Sequence, residues 1–423
     1  MPSLSSGRGL ALAWLVAILL AGGGIAAALA LRHHHHRLRP APAGTGTVYV
    51  ESDVAAPDQN SVLALHYHDG LLRPLAITEY PTGGAGAADL LDRGVLDADQ
   101  QIVTNPSGTL LFAINQGSDT IAAFHVAPDG ALTAVAGSPF PSQGIAPASI
   151  GVDGDLLVVA DKALDGVRSL RSVAPDYATL RILPGGALRS TGQRFTLPLR
   201  SAPTQVLIAP GGHLVFATEE SGLLRVLQIS RSGRLTQAPG SPYGVPPSIV
   251  PVTAPRVWPA GLSARDGVLY SGIPNHNSIV TYDYTASGRL TLQGQWLEGQ
   301  FLPCWSVISP NGREVYFANA GSDSVTAWDL SGNPRRPTVL QTLSLPGGGN
   351  SWNLRIDPTG RFLFIITPRQ VAKLVPAGQG QLLHSLRISP SGTLSEMPGS
   401  PIPLPVSLGT NPFGLVLLGA RAG

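Results

Sequence analysis

Adjacent carboxylates at Glu219 and Glu220, and an imidazole at His276 between Asn275 and Asn277, are the side chains of this chain best suited to moving protons. A carboxylate or imidazole held beside a carbonyl carbon can activate water as a general base, which is the chemistry of ester and lactone hydrolysis. A second group suits recognition. Gln101, Gln205, Trp305, Trp352 and Asn353 combine amide donors and acceptors with indole rings that can stack on a ring-shaped ligand. Arg93, Asp97 and Asp99 lie close together and could hold a cation or a polar substrate, and Trp258 adds a further ring. The single cysteine, Cys304, excludes an intramolecular disulfide and a cysteine-based zinc site, and no histidine is placed beside it by sequence. The four histidines at 33–36 cannot all face one ion and have no carboxylate nearby, so they read as a solvated stretch. No G-x-S-x-G, H-E-x-x-H or P-loop string occurs, and no cofactor or metal is expected.

What must position these residues is a repeat. A turn of the form small/acidic-Gly-x-Leu recurs at Asp69-Gly70, Asp129-Gly130, Gly185-Gly186, Ser232-Gly233, Ser287-Gly288 and Ser391-Gly392, with a degenerate copy at Ser331-Gly332. The seven glycines are 44 to 60 residues apart, one four-stranded unit each. A second turn, of Pro-x-Gly type, recurs at Pro106, Pro210, Pro310 and Pro358 and leads into apolar runs such as Leu110-Leu111-Phe112-Ala113-Ile114. With 50 Gly, 38 Pro and 43% hydrophobic residues in short runs, the chain reads as an all-β, seven-bladed β-propeller of four-stranded antiparallel blades. The first repeat starts at its second strand, near residue 47, and the chain ends on an unattached apolar strand from Phe413 to Leu418. Pairing the two would close the ring and leave no open edge. In such a meander the Pro-Gly and Gly-x-Leu turns share one face, the short-turn face. The longer connections, around 80–100, 138–147, 241–259 and 297–303, share the other, and binding residues are expected on that long-loop face at the channel mouth. Gln101, Gln205, Trp305, Trp352 and Asn353 open their inner strands and are expected to line it.

Residues 10–31 carry no charge and, as a helix, would span about 33 Å, enough for a bilayer core. The expected organisation is a signal peptide or membrane anchor at 1–31, a basic, His- and Pro-bearing linker at 32–46, the propeller at 47–418 and a tail at 419–423. One N-terminal hydrophobic helix, a transmembrane helix if uncleaved, would then hold an exported, periplasmic or secreted, monomeric propeller to the membrane. A net charge of +2 without a basic block beyond the N-terminal region argues against a nucleic-acid partner.

The strings Tyr316-Phe317-Ala318-Asn319-Ala320-Gly321-Ser322-Asp323 and Gly137-Ser138-Pro139-Phe140, the latter echoed at Gly240-Ser241-Pro242-Tyr243 and Gly399-Ser400-Pro401, resemble the lactonase-family propellers. That family includes 6-phosphogluconolactonases and carboxymuconate cyclase-like proteins. The resemblance implies a seven-bladed propeller and raises lactone hydrolysis through Glu219, Glu220 or His276. It also implies His and Arg where inner strands begin, whereas this chain has Cys304-Trp305 and Trp352-Asn353 there. With no acid, base or phosphate-binding cation expected at the mouth, the sequence points first to a scaffold binding a small molecule or a protein, and second to a lactone hydrolase.

Overall fold

The structure is a computed structural model that describes residues 44–87, 98–164, 172–245, 258–368, 379–406, 410 and 412–420. Seven antiparallel sheets are arranged around one axis. Their inner strands, in ring order, are Leu415–Gly419, Ile102–Thr104, Pro147–Asp153, Pro203–Ile208, Ala260–Arg265, Pro303–Ile308 and Leu354–Ile356. Numbering blades along the chain, the first begins at Thr45–Glu51 and takes its inner strand from the C-terminus, with Tyr49 opposite Val416 and Val50 opposite Leu415. The ring therefore closes as its two ends predict.

Each second strand, from Leu110–Asn115 to Phe362–Thr367, is buried along its whole length, because blades pack against both of its faces. That is why these segments read as continuous apolar runs and do not alternate. The repeated glycine turn latches blade to blade. The carbonyl of Gly130 accepts from the Tyr49 hydroxyl (2.7 Å), that of Gly233 from Thr179 (2.9 Å) and that of Gly392 from Tyr316 (3.0 Å). At Gly392, φ is +83° and a Cβ would come within 2.6 Å of Glu314 Cγ, so the latch requires glycine. The Gly-Ser-Pro motif has a structural role as well. Where the outer strand breaks, the Ser138, Ser241 and Ser400 hydroxyls accept from third-strand amides of Ala123, Val226 and Ser385 at 2.8–2.9 Å, each serine preceding a cis proline.

One expectation is corrected. Among the described residues there is no α-helix, only the 3-10 turns Gln116–Ser118 and Pro274–His276, and no helix is long and apolar enough to cross a membrane. Residues 10–31 lie outside the described residues. The fold class shown is thus an all-β propeller, and the N-terminal hydrophobic helix, the transmembrane span and the membrane partner inferred from it are withdrawn.

Candidate functional site

The residues that open the inner strands do converge, but they face one another. Trp305 is fully buried and meets Trp352 edge-on at 5.6 Å, and Trp352 meets Phe413 at 5.0 Å. The three rings form a packed row across the sixth, seventh and first blades, the packing role that large aromatics commonly fill. Cys304 is buried in the same cluster, where Gly261 lets the fifth inner strand approach the Cys304 carbonyl. Gln101 and Asn353 are wholly buried, and the Gln101 amide has no hydrogen-bond partner among the described residues.

The mouth itself is filled by the segment leading into the second blade. Asp99, 1% exposed, accepts from Arg355 Nη2 at 3.0 Å and from Gln205 Nε2 at 3.2 Å, side chains of the seventh and fourth blades. Its own amide donates to the Thr204 carbonyl at 3.1 Å. Gln100, with φ +62°, accepts at its carbonyl from the Ile150 amide and at its side chain from Gln205. Asn353 Nδ2 reaches the Ala98 carbonyl at 3.5 Å. Gln205 also brackets Leu262, accepting from its amide at 2.6 Å and donating to its carbonyl at 3.3 Å. The free edges of the inner strands, which have no neighbouring strand, are thus satisfied by polar groups crossing the axis.

The expectation that the mouth lacks an acid and a cation is therefore wrong: Asp99 and Arg355 supply both. Arg355 lies two residues beyond Asn353, so strand period places it on the same face. Counting only the first two residues of each inner strand passed over it. Arg93 and Asp97 lie outside the described residues.

The proposed catalytic groups occupy the rim, and two are already engaged. Glu219 is buried against Arg225, with Nε to Oε1 at 2.5 Å and Nη2 to Oε2 at 3.4 Å, and it accepts from Ser221 Oγ at 3.1 Å and Tyr177 at 3.4 Å. Glu220, 22% exposed, pairs at 2.5 Å with Lys162, whose side chain is fully buried. Removing a proton from water would cost either carboxylate its ion pair. His276 ends the turn Pro274–His276, half-buried, and its Nε2 has no partner among the described residues. It belongs to the fifth blade, whereas Glu219 and Glu220 belong to the fourth. Lys162 and Arg225 were not singled out by sequence: Lys162 pairs from the preceding blade, which leaves no local signature, and Arg225 stands on the neighbouring strand of the same blade, six residues beyond Glu219. Around the His276 turn, exposed side chains gather: Trp258, whose amide donates to Asn275 Oδ1, then Leu297 and Phe301, 76% and 50% exposed. Among the described residues no three His, Cys, Asp or Glu side chains are grouped to hold a metal ion.

Beneath this face lie buried acids whose protons are held tightly. Burial pushes Glu298 up to about 8, with the nearby Thr326 and Trp328 side chains drawing it part of the way back, and pushes Asp53 up to about 7. Burial, then the charge of Asp53, raises Glu51 as well. Because the folded state binds these protons more tightly than the unfolded chain, their stabilisation is complete below about pH 4 and is lost as pH rises through the folded values. Urea midpoints are expected to fall from pH 5 to pH 9, and Glu298→Gln to flatten the upper part of that slope. A variant with the parental slope would show that Glu298 is solvated.

No family model matches the sequence, and a search of curated proteins finds no relative. Solved structures are similar in fold. A periplasmic gluconolactonase of Pseudomonas aeruginosa aligns over 89% of this chain and all of its own, with a TM-score of 0.66 and 15% identity. A provisionally named 6-phosphogluconolactonase of Bacteroides fragilis aligns over 88% of this chain and 98% of its own, with a TM-score of 0.65 and 15% identity. A hypothetical selenium-binding protein of Sulfolobus tokodaii aligns over 89% and 95%, with a TM-score of 0.63 and 11% identity. The chain thus has the seven-bladed propeller fold seen in lactonase-like structures. At these identities the likeness extends to fold.

Proposed function

We propose that this chain is an extracytoplasmic binding propeller that recognises a ligand or a protein surface on its long-loop face and does not turn over lactones. The observation that supports it most is the engagement of Glu219 and Glu220 by Arg225 and Lys162, which leaves His276, of these three candidate bases, without a charged partner among the described residues. The exposed Trp258, Leu297 and Phe301 beside it form the kind of apolar rim that marks interaction sites. A location outside the cytoplasm agrees with the periplasmic gluconolactonase that shares the fold. A second reading, a lactone hydrolase, draws on the unpartnered His276 Nε2 and on the names of two structural neighbours.

The readings separate in one assay. The purified full chain should hydrolyse 6-phosphogluconolactone and glucono-1,5-lactone no faster than buffer. Turnover that disappears in Glu220→Gln or His276→Ala would establish the hydrolase instead. The rim is tested separately: combining Trp258→Ala, Leu297→Ala and Phe301→Ala should remove at least about half of the fluorescence of a bound anilinonaphthalene dye without unfolding the protein. Unchanged fluorescence would show that the rim is not an apolar surface.

A further inference from the structure

The channel that Asp99 closes at the long-loop face is open at the other. Along every inner strand the first residues are buried and the last are in part exposed. Pro203 to Val206 are buried while Leu207 and Ile208 are not, and the same change occurs after Ser306, Ser263, Ile102, Leu354 and Leu415. Between the Asp99 network and that opening lies a cavity of about 340 Å³. Asp99, Gln100, Gln205 and Arg355 line its blind end, and Thr104, Leu207 and Ala264 lie nearer the opening. A volume of this size is at the lower end of the range of small-molecule sites, roughly 300–1,000 Å³.

Its chemistry restricts what could occupy it. Asp99 and Arg355 cancel one another's charge at 3.0 Å, and both are largely out of water, at 2% and 19% side-chain exposure. An anion drawn to Arg355 would compete with Asp99 and leave that buried carboxylate uncompensated, and a cation would do the reverse. Arg355 gives two of its five N–H donors to Leu354 and Asp99, so donors are left over for a ligand oxygen. Below Asp99 the free edges of the inner strands continue, with backbone N–H and C=O groups that no strand among the described residues pairs. At the blind end the same edges are bonded by amide side chains and backbone. A ligand with several hydroxyl groups can serve them in the same way further down.

We propose that the central channel, entered from the short-turn face, is a binding site for a small uncharged molecule bearing several hydroxyl groups. It is separate from the long-loop surface, and the failure of either reading leaves the other standing. Calorimetric titration of the full chain tests it with myo-inositol as the neutral probe, and glucuronate and glucosamine as charged ones. Saturable binding of myo-inositol is expected, with both charged sugars at least about tenfold weaker. Thr104→Trp, which fills the cavity near its opening, should abolish binding. If that variant does not fold, Ala264→Phe replaces it, with the melting temperature confirming the fold. Three results would each overturn the site: no saturable binding of myo-inositol up to about 10 mM, glucuronate or glucosamine binding equally well, or binding undiminished in a folded channel-filling variant.

Discussion

A chain ended after Val406 will not melt cooperatively. The lost segment contains Leu415–Gly419, which pairs with Thr45–Glu51 and is the only strand that closes the ring among the described residues. It also contains Phe413 and Leu415, both with no exposed surface, in the cluster with Trp305 and Trp352. Burying two such side chains contributes about 1.5–3 kcal/mol each, and five residues of ladder add about 1 kcal/mol per hydrogen bond. The sum is on the order of 10 kcal/mol, comparable to the whole stability of an ordinary domain. The truncation also leaves Thr45–Glu51 as an open edge, a template for aggregation. Calorimetry and near-ultraviolet circular dichroism should show no sharp transition and little aromatic signal. A truncated chain melting within a few degrees of the parent would mean that the seventh and first blades hold together without their shared strand.

Trp305→Ala is the largest single substitution expected, costing about 3–5 kcal/mol in urea unfolding. The indole is fully buried, contacts Trp352 edge-on, and through it joins Phe413 to the same row. Truncation removes a large apolar surface and leaves a cavity that the rigid inner strands cannot close. The near-ultraviolet signal of the Trp305–Trp352 pair should fall in the folded variant. A loss below about 1 kcal/mol would place the ring at a wet surface, where it could stack on a ligand as its sequence position first suggested.

Much of the architecture was legible before the structure. Seven glycine turns and two incomplete chain ends state a blade count and a closure, because both are consequences of short-range backbone preferences repeated along the chain. The face carrying the long connections follows from meander geometry, and strand period would have found Arg355 beside Asn353 had it been carried two residues further. What the sequence could not settle is which polar side chains meet. Asp99 reaches Arg355 across 256 residues, Glu220 meets a lysine of the preceding blade, and Trp305 turns towards Trp352 and away from solvent. Turns and strands are set by each residue's own φ and ψ preferences, so they are written locally. The pairing of a buried charge, and whether an aromatic ring packs or faces water, depends on the contact made between blades when the ring closes, and only the tertiary structure decides it.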